Sequence, residues 1–299
     1  MSLVINHNMM ARNVSRTLNA HYGNLSTSTE RLSSGMRINS AADDAAGLAI
    51  SELQRADIAT LQQGARNAND AISLIQVADG SLGIIDEKLI RMKELAEQAA
   101  TGTYDSTQRL MIESEYQQMA SEITRIANAT DFNGIKLLDG TLSALQGEKI
   151  HDGSGMTAIG ALKVHFGTAN DSAEDYYYVV IGDATASALG VGSQAEGDGK
   201  TVSTQEAAQK ALNAINQAII SKDKIRAHLG AMQNRLENTI SNLNTQADNL
   251  QAAESRIRDV DVATEMTEFT RQQILTQSAV AMLSQANSLP QMALQLIGG

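Results

Sequence analysis

The sequence contains no cysteine, which leaves it without a disulfide framework, a thiolate metal site or a thiol nucleophile. It has no tryptophan, and aromatic residues make up only 3% of it, which excludes the aromatic-anchored core that a globular enzyme of this size ordinarily builds. Pro290 is its single proline, so almost nothing in 299 residues breaks an extended helix. Positive charge is in short supply as well. The formal net charge of −11 argues against nucleic acid as a partner, because that affinity rests on basic patches. Long apolar runs are missing too. The opening "MSLVINHNMMARNVSRTLNA" holds no apolar stretch before a small-residue cleavage site, so no removable secretory signal is expected. The stretch "ILTQSAVAMLSQANSLPQMALQLI" is interrupted by Gln, Ser, Asn and Pro290, whereas a membrane span needs about 20 predominantly apolar residues; no membrane insertion is expected.

What the chain does have is periodicity. From Leu61 through Ile72, Ile75, Leu82, Leu89 and Met92 to Ala99, apolar residues recur at steps of three, four or seven. This is a coiled-coil pattern of about six heptads, and at 1.5 Å per residue the helix, with its approach from Ala41, would extend about 90 Å. Such a helix needs a partner. Ile225, Leu229, Met232, Leu236, Leu243, Ala247 and Leu250 repeat the rhythm, and Ile112, Met119, Ile123 and Ile126 give a shorter amphipathic helix between the two. Many seam positions are alanine, which lets helix axes approach closely. The fold class is therefore mainly α, a long antiparallel coiled-coil helical bundle with a small β-hairpin insert.

The insert spans 140–203 and is rich in Gly, Asp, Ser and Thr. Within it "LKVHFG" alternates apolar and polar residues, and "YYYVVIG" is a run of strand formers, so the two are expected to pair as a hairpin through "TANDSAED". The helical bundle then covers 41–139 and 204–257, and the chain ends, 1–40 and 258–299, form a third region. In the ends, Val14, Leu18 and Leu25 mark one helical face, and Ile274, Leu283 and Leu296 the other. Arg12, Arg16, Arg31 and Arg37 stand against Glu30 in the first arm, a balance of +3, and Asp259, Asp261, Glu265 and Glu268 against Arg258 and Arg271 in the second, a balance of −2, so the arms suit one another electrostatically. Both are too weakly apolar to fold alone, and they are expected to order on assembly.

The stretch "RINSAADDAAGLAI" carries adjacent carboxylates. Neighbouring helical residues diverge by about 100°, so Asp43 and Asp44 make a poor catalytic dyad. They suit a helix start instead, with Ser40 at the N-cap and both aspartates in the first turn, where the macrodipole favours negative charge.

The segment "LSSGMRINSAADDAAGLAIS" strongly resembles the N-terminal signature of the bacterial flagellins. The likeness continues through "LQQGARNANDAISLIQVADGSL", "RMKELAEQAATGTY" and "TDFNGIKLLDG", and resumes with "LGAMQNRLENTISNL", "SRIRDVDVATEM" and the apolar stretch ending at Ile297. The resemblance implies a structural subunit of the helical flagellar filament that serves swimming motility. Its ends would pair to line an inner tube while the longer helices form an outer tube. It implies export through the flagellar type III apparatus and an extracellular place in the filament. The partners implied are further copies of the chain, the flagellar cap, the hook-associated junction proteins and a flagellin export chaperone. Members recognised by Toll-like receptor 5 carry an Arg, a Leu four residues on and a downstream Glu; the matching residues are Arg91, Leu95 and Glu115, with Ile90 where the best-recognised pattern has a polar amide.

Other chemistry finds no support. His7, His21, His151, His165 and His228 have no ligand spacing, and no glycine-rich turn carries a Lys-Ser pair, so neither metal nor cofactor is expected. No nucleophile–base pair supports an enzyme. A hook-filament junction protein shares the terminal signatures and is the alternative; a coiled-coil adaptor of the chemoreceptor kind would need an input domain or a membrane segment.

Overall fold

Three- and four-residue apolar spacing, uninterrupted by proline, produces helices over most of the chain. The computed structural model describes residues 7–143, 160–169, 171 and 174–297, with side chains as far as Ser288 and at Met292. Among these residues the order is α1 (Met9–Ser34), α2 (Ala45–Ala100), α3 (Ser106–Ala129), β1 (Asp131–Phe132), β2 (Ile135–Lys136), β3 (Leu162–His165), β4 (Tyr176–Val179), α4 (Gln205–Arg258) and α5 (Val262–Ile297). The mainly α fold with a small β-hairpin insert is what the structure shows. Residues 144–159 of the insert, with His151, lie outside the described ones. Two compact units result, one of Met1–Ile58 with Asp248–Gly299 and one of Ala59–Ala247.

In the Ala59–Ala247 unit, α2 buries Ala68, Leu74, Ile75, Leu82, Ile85, Leu89 and Met92 against Ile112, Tyr116 and Ile123 of α3 and Ala211, Ile215, Ala218, Leu229 and Leu236 of α4. Each large aliphatic side chain withdrawn from water contributes about 1.5–3 kcal/mol, so the extent of the seam compensates for its many alanines. Two ion pairs fix the direction of α4. Lys222 Nζ meets Asp86 Oδ1 at 2.5 Å, and Arg226 Nε meets Asp79 Oδ1 at 2.7 Å, so descending α2 means ascending α4. Leu243 is buried and Ile72 is half-buried against the same core, whereas Leu250 belongs to the other unit and is half-buried there. Leu74 falls outside the expected seam, yet it is buried, because residues of β1, β2 and β3 face the same side of α2 and widen its covered face.

The hairpin β3–β4 pairs Leu162 with Val179 and His165 with Tyr176 in antiparallel register, as the alternating pattern implies. Its far end is seated on α2 at backbone distance. A Cβ built on Gly64 would stand 2.0 Å from the Phe166 carbonyl oxygen, and Asn67 Nδ2 donates to the His165 carbonyl at 2.9 Å. Phe166 packs on Tyr177 at 4.6 Å, and the Arg235 guanidinium lies 3.6 Å over the Tyr177 ring from α4, a cation–π contact. A second hairpin, β1–β2, turns at Asn133 (φ 52°) and Gly134 (φ 80°), left-handed conformations that an Asn-Gly pair supplies at little cost.

The return chain toward α4 is tied to α3. Tyr116 donates its buried hydroxyl to the Gly199 carbonyl at 2.7 Å, and Gln117 Nε2 donates to the Lys200 carbonyl at 2.7 Å. Burial, and then the nearby Glu113 carboxylate, push the Tyr116 phenol above its ordinary range, which keeps it protonated as a donor.

Candidate functional site

In the unit that holds the chain ends, α1 and α5 pair antiparallel. Asn8 Nδ2 donates to the Ala286 carbonyl at 2.7 Å, His21 Nδ1 lies 2.8 Å from Gln272 Oε1, and Arg31 reaches Glu265 at 3.8 Å. The α1 face consists of half-buried Ala11, Val14, Leu18, His21, Leu25 and Leu32 with buried Ser28; the α5 face consists of Gln272, Thr276, Ala279, Leu283 and Ala286. Both follow a three–four repeat. Ile274 does not belong to it. The sequence placed it on one face with Leu283, but a nine-residue step rotates a helix by about 180°, and Ile274 is 58% exposed on the far side. The side chain of Leu296 lies outside the described residues.

Beyond that seam the unit exposes large apolar side chains: Val262, Met266, Val280 and Met282 join Ile274 on α5, Met9, Met10 and Tyr22 project from α1, and Ile50 and Leu53 from α2. Large apolar side chains left exposed along these helices mark an interaction surface; the Ala59–Ala247 unit exposes Val77, Ile84, Ile90, Leu110, Met111 and Ile220 as well.

The segments joining α1 to α2 and α4 to α5 are bonded to each other. The Arg37 amide donates to the Arg258 carbonyl at 2.6 Å, and the Val260 amide to the Gly35 carbonyl at 3.1 Å. Arg37 Nη2 caps the end of α4 through the Ile257 carbonyl at 2.6 Å, and Arg258 Nη1 meets Glu52 of α2 at 3.0 Å. These bonds draw residues 36–43 out of the helix. The expected helix start at Ser40 is therefore corrected. α2 begins at Ala45, and Asp44 is its cap, with Oδ1 accepting from the Gly47 amide at 2.9 Å. Asp43 is not in the first turn. Its Oδ2 accepts from the amides of Asn39 (3.2 Å) and Ser40 (3.0 Å) and from the Ser40 hydroxyl (3.1 Å), closing the turn before the helix.

Those amide bonds, Ser40 first and then Asn39, hold the Asp43 carboxyl below its ordinary value of 3.8. The Thr264 hydroxyl and then the Thr264 and Ala263 amides do the same for Asp261 ahead of α5. For a carboxylate lowered in the folded state, the stabilisation is complete above the unfolded value and is lost as pH falls through the folded one. Amide exchange at Ser40 and Thr264 is expected to stay protected above about pH 5 and to quicken below 3.8. Asp44→Ala is expected to cost about 1 kcal/mol in urea unfolding, with Asp44→Asn retaining most of it.

In the Ala59–Ala247 unit, Arg91 and Glu115 come together, and Leu95 does not join them at the surface. Arg91 Nε and Nη2 donate to Glu115 Oε1 at 3.0 and 2.9 Å, and Nη1 donates to Glu94 at 2.8 Å. Leu95 is 1% exposed. An i+4 step turns it about 40° from Arg91, enough to place it in the core with Ile112 and Tyr116 of α3. The exposed portion of this motif is the Arg91–Glu115 pair.

Among the described residues, no group of three His, Cys, Asp or Glu side chains could hold a metal ion, and no helix is long and apolar enough to cross a membrane.

The family model of the bacterial flagellin N-terminal helical region matches residues 5–143, and that of the bacterial flagellin C-terminal helical region matches 212–297, together more than half of the chain. The chain is 42% identical over 295 residues to the flagellar filament 33 kDa core protein of Treponema phagedenis, covering 99% of this chain and 100% of that relative. It is 42% identical over 314 residues to a flagellin of Bacillus subtilis, covering 98% of this chain and 99% of the relative. In fold it is similar to a putative flagellar hook-associated protein from Vibrio parahaemolyticus, with a TM-score of 0.55 at 16% identity, over 73% of this chain and 100% of that one. With both terminal regions matched in order and near-complete coverage of relatives above 40% identity, the chain belongs to the bacterial flagellin family.

Proposed function

We infer that this chain is a structural subunit that self-assembles into the helical flagellar filament, outside the cell, in the service of swimming. The observation that carries this reading is the set of large apolar side chains left uncovered by the α1–α5 pairing, Met266, Ile274 and Val280 of α5 among them. Apolar surface of that kind, met by a different surface on the next subunit, makes a contact that does not close on itself and so propagates a helix. The relatives at 42% identity, a flagellin and a flagellar filament core protein, favour the filament over the hook junction. The hook-associated likeness, at 16% identity, speaks to fold alone.

In this reading α1 and α5 line the inner tube, and the helices of the Ala59–Ala247 unit form the outer tube. Cap, hook-associated junction proteins and an export chaperone are its further partners, and Toll-like receptor 5 would meet the chain through Arg91 and Glu115. Seeding purified chain with short filament fragments tests the reading by electron microscopy. Full-length chain is expected to grow long filaments, and a form lacking residues 2–32 none. Ile274→Asp is expected to slow growth by more than about tenfold while circular dichroism stays unchanged, since a lost contact of about 1.4 kcal/mol already gives a factor of ten. Failure of the full-length chain to extend seeds would overturn the filament reading.

A further inference from the structure

Among the described residues α1 and α5 leave ten large apolar side chains exposed, and five of them are methionine: Met9, Met10, Met266, Met282 and Met292. The Ala59–Ala247 unit distributes the residue differently. There Met92 and Met232 are buried, Met119 is half-buried, and of the six large apolar side chains exposed among its described residues only Met111 is a methionine. Helix propensity does not account for the contrast, since leucine and methionine serve a helix equally well. What separates them is the thioether, which adapts in packing and can be oxidised. The chain has no cysteine, so no thiol of its own competes for a two-electron oxidant.

Before assembly these sulfurs are open to solvent, whether the chain's ends are folded as described or not yet ordered. A sulfur lone pair takes one oxygen of hydrogen peroxide as the O–O bond breaks; the hydroxide that leaves collects the remaining proton and departs as water. Sulfur has then lost two electrons to the peroxide, and a polar, chiral sulfoxide stands where an apolar tip stood. On α5 that change falls beside Ile274, because Met266 and Ile274 line the same shallow depression. Covering the new oxygen with a neighbouring subunit strips it of water, and a polar group buried without a full set of partners is costly. We propose that Met9, Met10, Met266, Met282 and Met292 form a redox modification site: peroxides convert them to sulfoxides on chain that has not yet assembled, which withholds it from the filament, and thiol-dependent reduction of the sulfoxides returns it. The proposal rests on the filament reading and adds to it a chemical control over which chains can join.

Purified full chain is exposed to hydrogen peroxide, freed of it with catalase, and divided between peptide mass spectrometry and seeded growth. Added oxygen is expected at the five methionines and at Met111, and not at buried Met92 or Met232. Growth is expected to fall by more than about tenfold, the factor that about 1.4 kcal/mol of lost contact already gives. It is expected to recover after treatment with methionine sulfoxide reductases of both epimer specificities and dithiothreitol. The variant Met9→Leu, Met10→Leu, Met266→Leu, Met282→Leu, Met292→Leu keeps the apolar volume and leaves Met36, Met111 and Met119 in place; it is expected to extend seeds equally well before and after peroxide. An undiminished peroxide effect on this variant overturns the proposal, because the loss then arises at other sulfurs. Normal growth of unmutated chain whose five methionines carry oxygen overturns it as well. If the variant does not extend seeds even untreated, Met111→Leu decides: growth still lost to peroxide supports the site, and growth that resists peroxide overturns it. Unmutated chain that does not extend seeds before any oxidant is added marks the failure of the filament reading itself.

Discussion

Asp86→Ala is expected to destabilise the Ala59–Ala247 unit by about 3 kcal/mol, because it leaves the Lys222 ammonium buried without its main partner. Lys222 is 2% exposed, and its Nζ meets Asp86 at 2.5 Å and Asp223 at 2.7 Å. Asp223, on the same helix and 59% exposed, remains after the substitution, which is why the loss stands at the low end of the range for a broken buried pair. Burial of an ammonium in a seam of alanine and leucine is costly whatever neutralises it. The control follows from the same physics: adding Lys222→Met to Asp86→Ala should recover most of the loss, since an apolar side chain of similar length fills the seam without a desolvation cost. Urea midpoints at constant m give both values. Equal midpoints for the single and double variants would mean that the pair is not what holds α2 to α4 at this level.

Gly64→Ala is expected to cost about 3 kcal/mol, the upper end for overpacking, because the atom in the way is backbone. The added methyl would come within 2.0 Å of the Phe166 carbonyl oxygen and 2.8 Å of its Cα, so no rotamer change relieves it. Either α2 or the end of β3 must move. Movement of β3 would break the Asn67–His165 hydrogen bond and part Phe166 from Tyr177, so faster amide exchange across β3–β4 should accompany the loss in urea stability. Asn67→Ala, which removes the bond and leaves the contact, should show the local effect with only about 1 kcal/mol of the global one.

The two long helices were legible because a three–four repeat held over many heptads has one physical outcome, and β3–β4 because alternation ending in three tyrosines has no helical alternative. What lay hidden was hidden for particular reasons. β1 and β2 are two residues each, too short to carry a period, and only the Asn133–Gly134 pair between Phe132 and Ile135 signalled them. The start of α2 was misplaced because Ser40 and Asp44 both satisfy an N-cap preference, and the bond from Arg37 to Arg258, from the far end of the chain, decides between them. Leu95 reads as a neighbour of Arg91 along one helix, and its burial comes from α3 folding back across it. The Arg91–Glu115 pair was legible in the sequence only through family likeness. The His21–Gln272 bond is opaque to any apolar pattern, since a polar residue in a heptad registers as a gap.

The crossing of the two linkers has a mechanical meaning. Where load reaches the ends of a filament subunit, a lone extended linker would pay out one residue at a time. Here the outgoing and returning strands are laced by two backbone hydrogen bonds, from Arg37 to Arg258 and from Val260 to Gly35, with the Arg37 guanidinium tied to the end of α4. The two bonds belong to a single antiparallel bridge, Met36 to Asp259, so parting the strands must break both. The place where the helices are interrupted is thereby a splice, in which each linker holds the other.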